Sequence, residues 1–116
     1  MNITPAYENP TQAEAFFVIL GENVPYVFQL IDTNGTAVDI TTGTITVSYT
    51  NNATGASYTF PSGSTVVVKS FPGQGVISIT LPSAWPTTAV VRVTVTFTND
   101  AIVRLFGPTI VTVVAP

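Results

Sequence analysis

Strict alternation of apolar and polar residues is the strongest pattern in the chain. Over residues 44–50, Ile45, Val47 and Tyr49 alternate with Thr44, Thr46, Ser48 and Thr50. Successive side chains of a strand point to opposite faces, so this predicts a strand with one apolar face and one face of hydroxyls. The same period returns over residues 89–98, with Val91, Val93, Val95 and Phe97 inward and Arg92, Thr94 and Thr96 outward. A third alternating run puts Ile77, Ile79 and Leu81 on one face.

Other segments are apolar on both faces. Residues 16–20 and 25–31 are two apolar runs, split by Gly21, Glu22 and Asn23, and the first of them is apolar on both faces. Residues 65–69 contain three consecutive valines, Val66, Val67 and Val68. The chain closes with strands expected over 101–106 and 109–114, separated by a bend at Gly107 and Pro108. Placing Val103 and Leu105 in the core turns Ile102 and Phe106 outward beside Arg104. Three strands with two apolar faces exceed what a lone two-layer domain of this size can bury, which argues for subunit contacts.

Turn chemistry divides these runs. Asp32-Thr33-Asn34-Gly35, Asn51 to Gly55 (leading into a strand at 57–60), Pro61-Ser62-Gly63, Pro72 to Gly75 and Asn99-Asp100 all carry residues that favour turns or positive φ. Leu81 to Pro86 is expected to be a crossover with a short turn of helix. In the first fourteen residues, Pro5 and Pro10 forbid a continuous helix, and Ile3 and Tyr7 are the only anchors. That segment reads as an extended arm, either a loose end or a latch onto a neighbouring subunit. The expected organisation is an arm over 1–14 followed by one domain over 15–116. Seven to nine short strands at this spacing predict an all-β, immunoglobulin-like antiparallel β-sandwich, with a small jelly roll or barrel as the second choice.

Composition narrows the function classes. The chain of 116 residues is 46% hydrophobic and 8% charged, against roughly 25% charged for an ordinary soluble domain. It has no histidine and no cysteine, and its basic residues are Lys69, Arg92 and Arg104. The acids Glu8, Glu14, Glu22, Asp32, Asp39 and Asp100 occur singly. Catalysis needs titratable groups held together and metal sites need converging ligands, so no catalytic, cofactor or metal residues are expected. Three dispersed cations cannot form the basic patch that a phosphate backbone or an anionic membrane surface requires. No apolar run approaches the roughly 20 residues of a membrane span. The start of the chain lacks the pattern of a signal peptide, so synthesis in a cytoplasm without export by that route is expected.

Two possible sites remain to be weighed. Asp32 and Asp39 flank the Asn34-Gly35 turn; each has a turn role, and a weak calcium site is the alternative. Trp85, between Ala84 and Pro86, either plugs one end of the sandwich or offers a sugar-stacking platform assisted by Tyr7, Tyr26, Tyr49 and Tyr58. The residues assigned to a protein interface are Ile3, Tyr7, Ile102, Arg104 and Phe106. Threonine rows keep a strand face soluble almost without charge. A free monomer ordinarily uses Lys and Glu to discourage edge pairing, so this surface suits a protein packed among others.

The stretch LIDTNGTAVDITTGTITVSY, residues 30–49, resembles the start of the immunoglobulin-like domain of phage baseplate upper proteins and related virion modules. There an acidic turn with glycine, an apolar residue, Asp and an aliphatic–Thr pair precede an alternating strand. Asp32, Gly35, Val38, Asp39, Ile40, Thr41 and Ile45 fill those places. The segment VVRVTVTFTNDAIVRLFGPTIVTV is similar to the closing hairpin of such domains, with Arg104 and Pro108 in the corresponding positions. The resemblance covers residues 24–114. It implies a phage structural protein and brings no catalytic residues.

The expected function is therefore a non-enzymatic virion protein, foremost a capsid decoration or cement subunit. A tail or baseplate adaptor and a host-surface carbohydrate-binding module are the alternatives. Expected partners are the major capsid protein or tail and baseplate proteins, with the chain in many copies or as a homo-oligomer.

Overall fold

The structure, a computed structural model, describes residues 3–9, 14–86 and 88–116. Nine strands occur among them: β1 (Ile3–Tyr7), β2 (Ala15–Ile19), β3 (Pro25–Ile31), β4 (Thr44–Asn51), β5 (Ser57–Tyr58), β6 (Val66–Phe71), β7 (Val76–Thr80), β8 (Val90–Asn99) and β9 (Ile102–Val114). They form two sheets, one in the order β1-β3-β7-β6 and the other in the order β2-β9-β8-β4-β5. With β3, β7 and β6 as strands B, E and D, and β9, β8, β4 and β5 as G, F, C and C′, this is the order of an immunoglobulin-type sandwich.

The sheets are mixed rather than purely antiparallel. β1 pairs with β3 in parallel and β2 pairs with β9 in parallel, while every other ladder is antiparallel. Each parallel partner is distant enough in the chain for a crossover, which parallel pairing requires. Both parallel strands lie at sheet edges.

The expected arm is a strand of the domain over Ile3–Tyr7. Residues 1, 2 and 10–13 of that segment lie outside the described residues. Its pattern is inverted relative to an ordinary half-buried strand. Thr4 and Ala6 face the core, with Ala6 1% exposed, and Ile3 and Tyr7 face outward. Small residues point inward and large ones outward, so hydropathy gave no strand signal. Pro5 fits because an edge strand can leave one N–H side unpaired.

The core lies between the sheets. Phe28, Leu30, Ile77 and Ile79 from the first sheet meet Val91, Val93, Val95, Val111 and Val113 from the second. Fully burying each such side chain stabilises the fold by about 1.5–3 kcal/mol. Ile40, Leu81 and Trp85, from connecting segments, join the same cluster. Residues 81–86 contain no helical turn; a 3-10 turn occurs at Pro72–Gln74 instead, where Pro72 sets the first φ.

β9 differs most from the sequence reading. It is one strand of thirteen residues, and its register against β8 shifts between Val93 and Val95. Val93 pairs with Thr109 and Val95 with Phe106, so Gly107 and Pro108 together oppose Thr94 as a β-bulge. Gly107 has φ +103°, and a Cβ there would stand 2.9 Å from the Val93 carbonyl oxygen. The bulge puts the alternation on its two sides out of phase. Thr109, Val111 and Val113 face inward, and so does Phe106, which is 0% exposed. Val103 and Leu105, expected in the core, are exposed.

Candidate functional site

The outer faces of the two sheets are built by alternate residues of the strands. On the first sheet, register places Ile3, Val27, Ser78 and Val68 in one cross-strand row, and Pro25, Thr80 and Val66 in another. Pro5, Gln29 and Val76 form a further row, with Tyr7 beside Ile31. None of these positions carries a charge. Ile3, Val66 and Val68 are well exposed.

The outer face of the second sheet divides into two halves. β4 and β8 contribute paired hydroxyls: Thr44 opposite Thr98, Thr46 opposite Thr96 and Ser48 opposite Thr94. β9 and β2 contribute apolar side chains, with Val103 opposite Thr98, Leu105 opposite Thr96, and Phe17 beside Thr112. Phe17 is 71% exposed. Arg92, opposite Thr50, is the one charged residue on this face.

Apart from Arg92, charge lies in turns and at the ends and edges of the sandwich. Asp32 and Asp39 serve their turns: Oδ1 of Asp32 accepts from the N–H groups of Asn34 and Thr36, both at 2.9 Å. Oδ1 of Asp39 accepts from the Thr41 N–H at 2.9 Å and from its hydroxyl at 2.6 Å. The Thr41 hydroxyl and N–H hold the Asp39 carboxyl below its usual range. Lys69 donates from Nζ to the Gly43 carbonyl at 2.9 Å. Among the described residues no group of three or more Asp and Glu converges as a metal site would require.

Glu8 and Arg104 form the one salt bridge among the described residues, with Arg104 Nε 3.0 Å from Oε2 and Nη2 2.8 Å from Oε1. The Arg104 hydrogen bonds hold the Glu8 carboxyl below its usual range, against the opposing effect of burial. The guanidinium also lies 5.5 Å from the centre of the Phe106 ring. The pair closes the corner where β1 reaches β9, at the isolated antiparallel bridge between Glu8 and Phe106.

The five residues assigned to an interface are thus dispersed. Ile3 and Tyr7 share the outer face of β1, as an interface would need. Ile102, 65% exposed, sits at the turn end of β9. Arg104 is engaged by Glu8 within the chain, and Phe106 belongs to the core, so Phe106 is not an interface residue. Val103 and Leu105 take its place on the surface. Only the parity break at Gly107-Pro108 reveals them, and a Gly-Pro pair inside an apolar run is its one signal in the sequence.

Trp85 is 5% exposed and lies within 6.0 Å, edge-on, of the rings of Tyr49, Tyr58 and Phe60. An enclosed indole cannot stack against a sugar, so Trp85 is a plug and not a platform. Its Nε1 has no hydrogen-bond partner among the described residues. The Tyr49 hydroxyl meets the Thr65 hydroxyl at 2.6 Å, and burial pushes the Tyr49 pKa up to about 12. A shallow groove of about 340 Å³ runs beside these rings, lined by Tyr49, Tyr58, Phe60 and the hydroxyl residues Ser57, Thr59 and Thr65.

The described residues therefore offer charge-poor faces and no converging set of reactive groups. No family model matches the chain, and neither a curated protein nor a solved structure matches it.

Proposed function

We propose that the protein is a non-enzymatic structural subunit of a bacteriophage virion, foremost a capsid decoration or cement protein. The observation that carries this reading is the near absence of charge on both outer sheet faces, where Arg92 stands alone among threonines and aliphatic side chains. A monomer living free in solution depends on surface charge to discourage association. A subunit covered by neighbours does not. Contacts made through such faces bury apolar area, and binding to the assembled state stabilises both partners.

The phage setting rests on the resemblance of residues 30–49 and of the closing hairpin to immunoglobulin-like virion domains. That resemblance also supports a tail or baseplate position as the second reading, since baseplate upper proteins carry the pattern. The carbohydrate-binding alternative loses its platform with the burial of Trp85.

The test is gradient sedimentation of particles from a producing culture, followed by mass spectrometry and immunogold imaging. The protein is expected to co-migrate with intact particles, with label over the head for decoration or over the tail for an adaptor. Recovery only among free proteins would overturn the virion reading.

A further inference from the structure

Each sheet ends in strands that must be kept from pairing with other chains. Three of these four terminal strands carry a blocking device. β1 has Pro5 at its centre, β5 is two residues long, and β6 carries Lys69 and a register break between Lys69 and Phe71. β2 has none: Ala-Phe-Phe-Val-Ile contains no proline, no charge and no bulge.

The hydrogen bonds of β2 show which backbone groups remain open. Ile110 donates to the Glu14 carbonyl and Leu20 donates to the Val114 carbonyl, both at 2.8 Å. In a parallel ladder, alternate residues face the partner strand, so residues 14, 16, 18 and 20 are directed to β9. Ala15, Phe17 and Ile19 direct their N–H groups away from β9, toward the free edge. The Ile19 carbonyl is taken by the Glu22 N–H in the following turn, while the carbonyls of Ala15 and Phe17 have no partner among the described residues. Phe17 and Ile19 also present exposed side chains there. No described strand pairs with this edge.

Charge identifies the occupant. Glu14 lies just before β2 and Glu22 just after the turn that ends it, both exposed and neither in an ion pair among the described residues. We propose that the free edge of β2 receives an extended segment of another protein, apolar at alternate positions and basic at both ends, added as a sixth strand. The backbone of residues 15–19 supplies the hydrogen bonds, Phe17 and Ile19 pack its apolar side chains, and the two glutamates select its ends. A second copy of β2 does not fit this description, because its own ends carry Glu14 and Glu22 where the occupant carries basic residues. This inference is independent of the virion reading and can fail or succeed without it.

The experiment uses the full chain and a labelled nine-residue peptide of alternating valine and threonine with lysine at each end, followed by fluorescence anisotropy. A counterpart with glutamate at each end, and a lysine-ended version N-methylated at alternate residues, are the comparisons. The lysine-ended peptide is expected to bind, the glutamate-ended one at least tenfold more weakly, and the N-methylated one not at all. Phe17→Pro removes an outward N–H without touching the β9 ladder and is expected to abolish binding. Should that variant fail to fold, the exposed double substitution Glu14→Lys with Glu22→Lys is expected to reverse the preference between the two peptides. Equal binding of both peptides, no binding at millimolar concentration, binding insensitive to N-methylation, or β2-dependent self-association in place of peptide binding would each overturn the proposal.

Discussion

Glu8 and Arg104 stand 96 positions apart in the chain and meet through two hydrogen bonds of 3.0 and 2.8 Å. The pair ties the end of β1 to β9, and Arg104 in turn covers the ring of Phe106 at the rim of the core. The pair is partly screened from solvent, with side-chain exposures of 31% for Arg104 and 17% for Glu8. Two-point geometry on this corner places its contribution near the upper end for surface pairs, about 1 kcal/mol.

The pair makes stability depend on pH in a stated direction. The folded state lowers the Glu8 pKa from its ordinary 4.5, chiefly through the Arg104 hydrogen bonds. The contribution is therefore complete above that ordinary value and is lost as pH falls through the lower folded value. Urea unfolding across the acid range is expected to show a decline in the native protein that Glu8→Gln flattens. An unchanged acid profile in Glu8→Gln would remove the pair from the account of acid stability.

Removing residues 1–8 is expected to destabilise the domain rather than to trim a loose end. The truncation deletes β1, withdraws Ala6 from the core, uncovers the edge of β3 and leaves Arg104 unpaired. Lost burial and hydrogen bonding of this extent amount to about 2–4 kcal/mol, a fall in Tm on the order of 10 °C. Thermal unfolding followed by circular dichroism measures it, and a truncated chain melting with the full one would show β1 to be dispensable.

Trp85 separates packing from hydrogen bonding. Trp85→Ala opens a cavity among Tyr49, Tyr58 and Phe60 and is expected to cost about 3–5 kcal/mol. Trp85→Phe keeps most of the edge-on packing and removes the buried Nε1–H that has no partner among the described residues. Relief of that desolvation penalty, about 1–3 kcal/mol, offsets much of the lost ring area. Chemical denaturation of both variants is expected to place Trp85→Phe much closer to the native protein than Trp85→Ala.

Gly107→Ala probes the bulge that turns Phe106 inward. The new Cβ would lie 2.9 Å from the Val93 carbonyl oxygen and 3.1 Å from the Thr109 nitrogen, at φ +103°. A cost of about 2–3 kcal/mol is expected, together with altered near-ultraviolet dichroism as Phe106 shifts. Gly55→Ala is the control: φ is +76° but nothing lies within 4 Å, so only the backbone term of about 1–2 kcal/mol applies. Equal effects at the two sites would mean that close approach at Gly107 is not what holds the bulge.

What was legible in the sequence follows from local periodicity. The alternation of β4, β7 and β8 placed Tyr49, Ile77, Ile79, Val91, Val93, Val95 and Phe97 in the core, where they lie. Asp32 and Asp39, expected in turn roles on either side of Asn34-Gly35, accept hydrogen bonds from the backbone of their own turns. The candidate surface was legible as a composition, with threonine and aliphatic residues in place of charge, and Phe17, Ile19, Val66 and Val68 stood out as apolar residues on strands with two apolar faces.

The sequence by itself determined the sandwich, its turns and its shortage of reactive groups, because each depends on residue type and on spacing within a few positions. Only the tertiary structure decided which large apolar residues reach the surface. One inserted residue in β9 reverses the facing of everything before it, exchanging Phe106 for Val103 and Leu105. The capture of β1 by β3, the pairing of Glu8 with Arg104 and the open edge of β2 likewise arise between segments far apart in the chain. Their cause is strand order and register, which local periodicity does not encode.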